Sequence, residues 1–250
     1  VRARPNRLGE ELVDLLHADG RILANDLVSP MDVPPHDNSA MDGFAFAGTE
    51  IQAGATTRLS CIGTLLAGTS PSGLTVGEGC CVRIMTGAVM PAGLDTVVPL
   101  ELCRVEGTTV EFDSLAVTAG DNRRRRGEDL AAGRSALLAG RRLRPADLGL
   151  AASLGFTQVG VKRRLRVALF STGDEVVEPG RPLPVGAIYD SNRTSLAAAL
   201  ARLPLEVIDL GLVPDDQPSL ERTLEAARAA SADVVVTSGG VSAGDADHTR

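Results

Sequence analysis

Aromatic side chains make up only 2% of this 250-residue chain, with no tryptophan and one tyrosine. Its core must therefore be built from Leu, Val and Ala. Long apolar runs are missing too: nothing approaches the ~20 residues of a membrane helix, and no signal-peptide pattern opens the sequence. Lysine is nearly absent, Lys162 being the only one among 25 Lys and Arg residues. That bias suits planar anion-binding forks, but a GC-rich coding sequence is the simpler cause. Positive charge is in deficit, and a net charge of -7 argues against nucleic acid as a partner. Cysteine is scarce: Cys61, Cys80, Cys81 and Cys103 have neither zinc-ribbon nor redox-pair spacing. Reduced thiols in a cytoplasmic protein are expected, with Cys80 and Cys81 on opposite faces of a strand.

What is present is ordinary globular material, 44% hydrophobic and 23% charged, with length for roughly two domains of about 100–150 residues. Leu8, Leu12, Leu15 and Leu16 predict a short helix from Asn6 to Ala18, broken at Gly20. From about Phe44 to Glu111, short β-branched runs alternate with Gly, Thr, Ser and Pro. Cys80 to Met85, Thr96 to Pro99 and Thr108 to Phe112 read as strands of a small β-rich domain. Pro145 opens another short helix, with Leu148 and Leu154 inside it and Gly155 after its end.

The last third alternates strand and helix. Arg166 to Phe170, Leu205 to Leu210 and Asp233 to Thr237 read as strands. Between them lie a helix carrying Leu196, Leu200 and Leu203, ended by Pro204, and a helix opened by Pro218 with Leu220, Leu224 and Ala227. This order implies a parallel sheet with helical crossovers, whose ligands bind beyond the carboxyl ends of the strands.

The chemically loaded segments fall at such ends. Thr237-Ser-Gly-Gly-Val-Ser-Ala-Gly-Asp-Ala-Asp247 follows a strand with small residues and two carboxylates. Ser171-Thr-Gly-Asp-Glu175 follows another, and two readings fit it. The Gly173 main chain could bind an anion while Asp174 and Glu175 hold a hard cation, or Asp174 caps a helix. Asp215 and Asp216 precede Pro218, where one of them caps that helix or both belong to the ligand-facing carboxylates. Pro34 to Phe44 packs two carboxylates, an amide and a hydroxyl beside a Gly, in what also reads as plain loop; His36 there is a base or a surface residue. Arg83-Ile-Met-Thr-Gly-Ala88 ends a strand with a hydroxyl and a Gly, a weak signal alone. Arg123 to Arg126 reads as a solvated turn or as an anion clamp. Two carboxylates brought to about 4 Å repel by about 4 kcal/mol at an effective dielectric of 20. The Gly-rich turns bearing Asp42, Asp129, Glu175, Asp215 and Asp247 would therefore need a cation, Mg²⁺ by preference, or raised pKa values.

Six runs, in order, carry a resemblance: Pro35 to Phe44, Arg83 to Ala88, Arg124 to Asp129, Ala168 to Glu175, Ile188 to Arg193 and Thr237 to Asp247. From about Gly20 to Arg250 the chain resembles the molybdopterin molybdotransferases, the bacterial MoeA proteins, and is similar to the C-terminal enzyme domain of gephyrin. The resemblance implies an α/β plus β-rich fold. A parallel βαβαβ molybdopterin-binding domain, incomplete here, would span residues 163–250. A β-rich domain at 34–129 would be inserted into a discontinuous helical and linker domain at 1–33 and 130–162.

The resemblance further implies Mg²⁺-dependent insertion of molybdate into adenylylated molybdopterin, with release of AMP. Asp42, Thr86, Asp129 and Glu175 would be catalytic. Glu175, Asp215 and Asp247 would hold the metal. Ser171, Thr172 and Gly173, with Ser238, Gly239, Gly240, Val241, Ser242 and Gly244, would bind the pterin and its phosphate. A cytoplasmic homodimer is implied, with Asp42 and Glu175 meeting across it, and possible contact with the molybdopterin adenylyltransferase. Nucleic acid and membrane are not expected partners.

Departures from the family pattern are a poorly matching N-terminus, His36 at a usually aromatic position, and Pro99, expected at a sheet edge or bulge. The family also continues well beyond the position of Arg250, so the chain is expected to be truncated. The alternative is a non-catalytic pterin-binding or scaffold module of the same fold. The adenylyltransferase step is a third reading, opposed by the β-rich insertion.

Overall fold

In this computed structural model residues 8–239 are described, and the chain divides into two units. One runs from Asp26 to Leu137; the other joins the stretch up to Asn25 with the stretch from Leu138 on. Gly240, Val241, Ser242, Gly244 and Asp247 lie outside the described residues.

A six-stranded sheet builds the Asp26–Leu137 unit, in the order Thr96–Pro99, Gly43–Phe46, Cys80–Ile84, Thr56–Leu65, Thr109–Asp113, Arg104–Glu106. All neighbours are antiparallel except Thr56–Leu65 with Cys80–Ile84. Successive side chains of a strand point to opposite faces, and both faces here are covered. Phe44, Phe46, Val98, Cys81 and Phe112 pack on one, while Ala45, Val82, Ile84 and Val97 pack on the other. The Phe46 and Phe112 rings meet with centroids 5.1 Å apart, and with Phe44 they put three of the six aromatic side chains into this core. Pro99 ends an edge strand, where its missing N–H costs no ladder bond. The three strands expected here are found at Cys80–Ile84, Thr96–Pro99 and Thr109–Asp113.

In the second unit, Leu165–Thr172 is the central strand of a parallel sheet, flanked by Leu205–Val213 and Val234–Ser238. Val167 to Thr172 are all buried, as a parallel strand covered on both faces must be. Helix α1 is Pro145–Ser153, α2 is Ser191–Leu200 and α3 is Gln217–Ala229. Pro145 sits at the first turn of α1, and Gly155 takes φ of +86° just beyond its end. α3 buries Leu220 and Ala227, and Leu220 packs with Phe170 and Val213. α2 stops at Leu200, so Leu203 lies past its end and is half exposed. Chain order takes the strands from centre to one edge to the other. With right-handed crossovers, α2 and α3 then lie on opposite faces, and the order reverses at the central strand.

Among the described residues of the stretch Asn6 to Ala18, the expected helix is not formed. Glu10–Asp14 is a strand, paired antiparallel with Gln158–Lys162, and Leu15–His17 is a 3-10 turn. The leucine spacing misled because it marks no buried face: Leu12 is 66% exposed and Leu16 is 91%. An isolated short helix is marginal in water, and five residues of ladder with a distant strand outweigh it. The helix-cap reading of Asp174 also fails, since Gly173 to Val176 is a turn leading into the short strand Val176–Val177. Among the described residues no helix is long and apolar enough to cross a membrane.

Candidate functional site

Two hydroxyl residues end the central parallel strand, and each meets a carboxylate from a different loop. Ser171 Oγ donates to Asp190 Oδ1 at 3.1 Å, and Thr172 Oγ1 donates to Asp215 Oδ1 at 3.2 Å. Asp190 precedes α2 and Asp215 precedes α3, so successive residues of one strand reach the loops of opposite faces. This is the reversal point of the sheet, where open α/β sheets place their ligands.

Asp190 caps α2, accepting from the Arg193 main-chain N–H at 3.0 Å and from Arg193 Nε at 2.9 Å. Burial pushes its carboxyl up, but the bonds from Arg193 and Ser171 outweigh burial and hold it below the ordinary carboxylate range. Arg193 in turn reaches Asp209 at 2.8 and 2.9 Å. Asp216, not Asp215, caps α3, with Oδ1 2.8 Å from the Ser219 nitrogen. That leaves the Asp215 carboxylate to Thr172, while its own N–H donates to Asp174 Oδ1 at 3.2 Å.

Close packing of the two strand ends makes Gly239 obligatory. Its φ is +107°, and a Cβ there would lie 2.3 Å from the Thr172 carbonyl oxygen. Beside it, a cleft of about 130 Å³ is lined by Ser171, Thr172, Glu175, Asn192, Ser238 and Gly239, among others. Glu175 is exposed and folds back over Gly173, where a Cβ would lie 2.9 Å from its Oε2. Asp174, Glu175 and Asp215 supply only hard oxygen donors, which suit Mg²⁺ better than a soft metal. Mg²⁺ takes one or two carboxylates beside water and phosphate oxygens, so the donor set fits, although no metal-sized cluster of three or more groups forms among the described residues.

In the Asp26–Leu137 unit a separate pair is formed. The Asp42 Oδ1 accepts from both the main-chain N–H and the hydroxyl of Thr86, each at 2.7 Å. Those bonds, main chain first, hold the Asp42 carboxyl below its ordinary value. Asp129 is bonded to Arg124. Three side chains of the arginine run are paired: Arg123 faces Asp37 at 3.5 Å, Arg124 also reaches Glu128 at 3.3 Å, and Arg126 meets Asp32 at 2.5 Å. His36 is exposed and lines a hollow of about 750 Å³ under the loop 68–74.

The sequence reading gave Asp190 and Arg193 no role. The available signal was Asp190 three residues before Arg193, at the head of the Leu196 and Leu200 periodicity, which is an N-cap pattern.

Comparison with known proteins places these features in a family. Residues 1–155 match the model of the MoeA N-terminal region (domain I and II), and residues 168–250 match that of a probable molybdopterin binding domain. A molybdopterin molybdenumtransferase of Haemophilus influenzae is 44% identical over 96% of this chain and 58% of its own length. Molybdopterin molybdenumtransferase 2 of Mycobacterium tuberculosis is 41% identical over 93% of this chain and 57% of its own. The crystal structure of a molybdopterin biosynthesis MoeA protein of Pyrococcus horikoshii is 35% identical, with a TM-score of 0.82, over 93% of this chain and 59% of that one. The chain thus spans somewhat more than half the length of the curated relatives it matches. By both family models and by fold, it belongs to the MoeA family.

Proposed function

We propose that the chain serves molybdenum cofactor biosynthesis as a molybdopterin molybdotransferase, inserting molybdate into adenylylated molybdopterin with release of AMP. The observation that carries this reading is the meeting of Ser171, Thr172, Asp215 and Gly239 at the reversal point of the parallel sheet, in a segment matched by the molybdopterin-binding model. Ser171, Thr172 and Gly173 with Ser238 and Gly239 hold the pterin end, and the segment from Ser238 to Gly244 would receive its phosphate and help hold the pterin. Glu175, Asp215 and Asp247 are the residues that would hold Mg²⁺. Held there, Mg²⁺ would supply charge neutralisation at the phosphates.

Asp42, Thr86 and Asp129 complete the catalytic set. Thr86 keeps Asp42 ionised and fixed, so Asp42 enters as an acceptor and not as an acid. The enzyme is proposed to be a cytoplasmic homodimer. Replacing Glu175 by Ala should abolish AMP release from adenylylated molybdopterin and molybdate, with sedimentation showing an unchanged assembly. Undiminished turnover in that variant would remove Glu175 from the site.

A further inference from the structure

Hydrogen bonding at the tip of the central strand fixes which side of the Ser171 hydroxyl faces a ligand. Ser171 is 2% exposed and Asp190 is 3% exposed, with Oγ and Oδ1 3.1 Å apart. The Asp190 carboxylate also accepts two bonds from Arg193, and an ionised carboxylate has no proton to give. Ser171 must therefore donate to it. What the hydroxyl has left for the cleft is lone pairs, so it can only accept.

We propose that Ser171 selects the N–H donor edge of a pterin, and that Asp190 and Arg193 are positioning residues that set this polarity. The proposal rests on the pterin reading above and adds which chemical edge lies where. An anion at Ser171 would meet lone pairs, with a carboxylate behind them, and would be rejected. The phosphate end of the ligand is thereby directed away from Ser171. Arg193 is itself held in place, its Nη1 reaching both oxygens of Asp209 and its Nη2 facing Glu178 at 3.4 Å. The buried acceptor is thus braced from outside the cleft. Arg193 affects the ligand only through Asp190 and Ser171.

The test compares two probes by equilibrium binding to the full chain. One is 2-amino-4-oxopteridine; the other is its 2-dimethylamino-3-methyl analogue, which lacks the N–H donors of the pyrimidine edge. Wild type should prefer the first by about tenfold, the worth of roughly one well-made hydrogen bond. Ser171→Ala should bring the ratio close to one with an unchanged melting temperature. Arg193→Gln should lower the ratio in the same direction, and Arg193→Lys should restore part of it. If Ser171→Ala does not fold, the Arg193 pair decides.

A wild-type preference that survives in Ser171→Ala, or in Arg193→Gln, would overturn the proposal alone. So would wild-type binding of both probes with equal affinity. Failure of wild type to bind either would overturn it together with the pterin reading.

Discussion

Thr86 grips one oxygen of Asp42 twice, main-chain N–H and side-chain hydroxyl both donating to Oδ1 at 2.7 Å. The main-chain bond depends only on the turn, while the hydroxyl bond depends on the residue. Thr86→Val should therefore leave the turn intact and lose half the grip. Turnover of adenylylated molybdopterin should fall about tenfold in Thr86→Val and more in Asp42→Ala, with melting temperatures close to wild type. Equal rates for wild type and Thr86→Val would show that the hydroxyl plays no part.

Helix α1 is pinned at its first turn by Asp147, which is buried, accepts from the Arg144 N–H at 3.0 Å and pairs with Arg141 at 2.8 Å. The hydrogen bond from Arg141 is the main cause holding its carboxyl below the ordinary 3.8. A carboxylate whose folded value is lowered contributes stability that is complete above its unfolded value and lost as pH falls through the folded one. Asp147→Asn should cost about 1–2 kcal/mol at neutral pH. Denaturant melts across pH should show that difference shrinking below about pH 4.

Gly239→Ala forces a Cβ to within 2.3 Å of the Thr172 oxygen at φ of +107°. Strain of this kind costs about 1–3 kcal/mol and must be relieved by parting the two strand ends. Pterin binding should weaken more than the melting temperature falls. Titration of Gly239→Ala at wild-type affinity would show that the strand ends need not touch.

Phe46 is fully buried against Phe112 in a core with few other rings. Phe46→Ala should destabilise the Asp26–Leu137 unit by about 3–5 kcal/mol. Proteolysis should then open that unit first, and cleavage no faster than in wild type would count against the rings as its main support.

The parallel sheet was legible because two of its strands are nearly continuous apolar runs, Val167 to Phe170 and Val234 to Val236, and α3 carries Pro218 near its start. The first strand was not, since its partner lies at residues 158–162 and no local pattern encodes that pairing. At the candidate site, sequence located the strand ends but could not separate Asp215 from Asp216. Which carboxylate turns back to cap α3 depends on a main-chain angle at the loop, and the other becomes available to Thr172. Asp190, inside the run Ile188 to Arg193, received no role for a similar reason: a capping residue looks structural until a second partner, Ser171, is found on the other side of it.

The pairing of Glu10–Asp14 with Gln158–Lys162 has a consequence for synthesis. The Asp26–Leu137 segment can close its own sheet while Glu10–Asp14 still waits for a partner. The central strand waits as well, for Leu205–Val213 and then for Val234–Ser238. Such distant contacts form slowly, because loop closure is paid before they repay it. On the ribosome Glu10–Asp14 is thus left to pair only after the whole Asp26–Leu137 segment and α1 have followed it, and Ser171 gains its cleft later still.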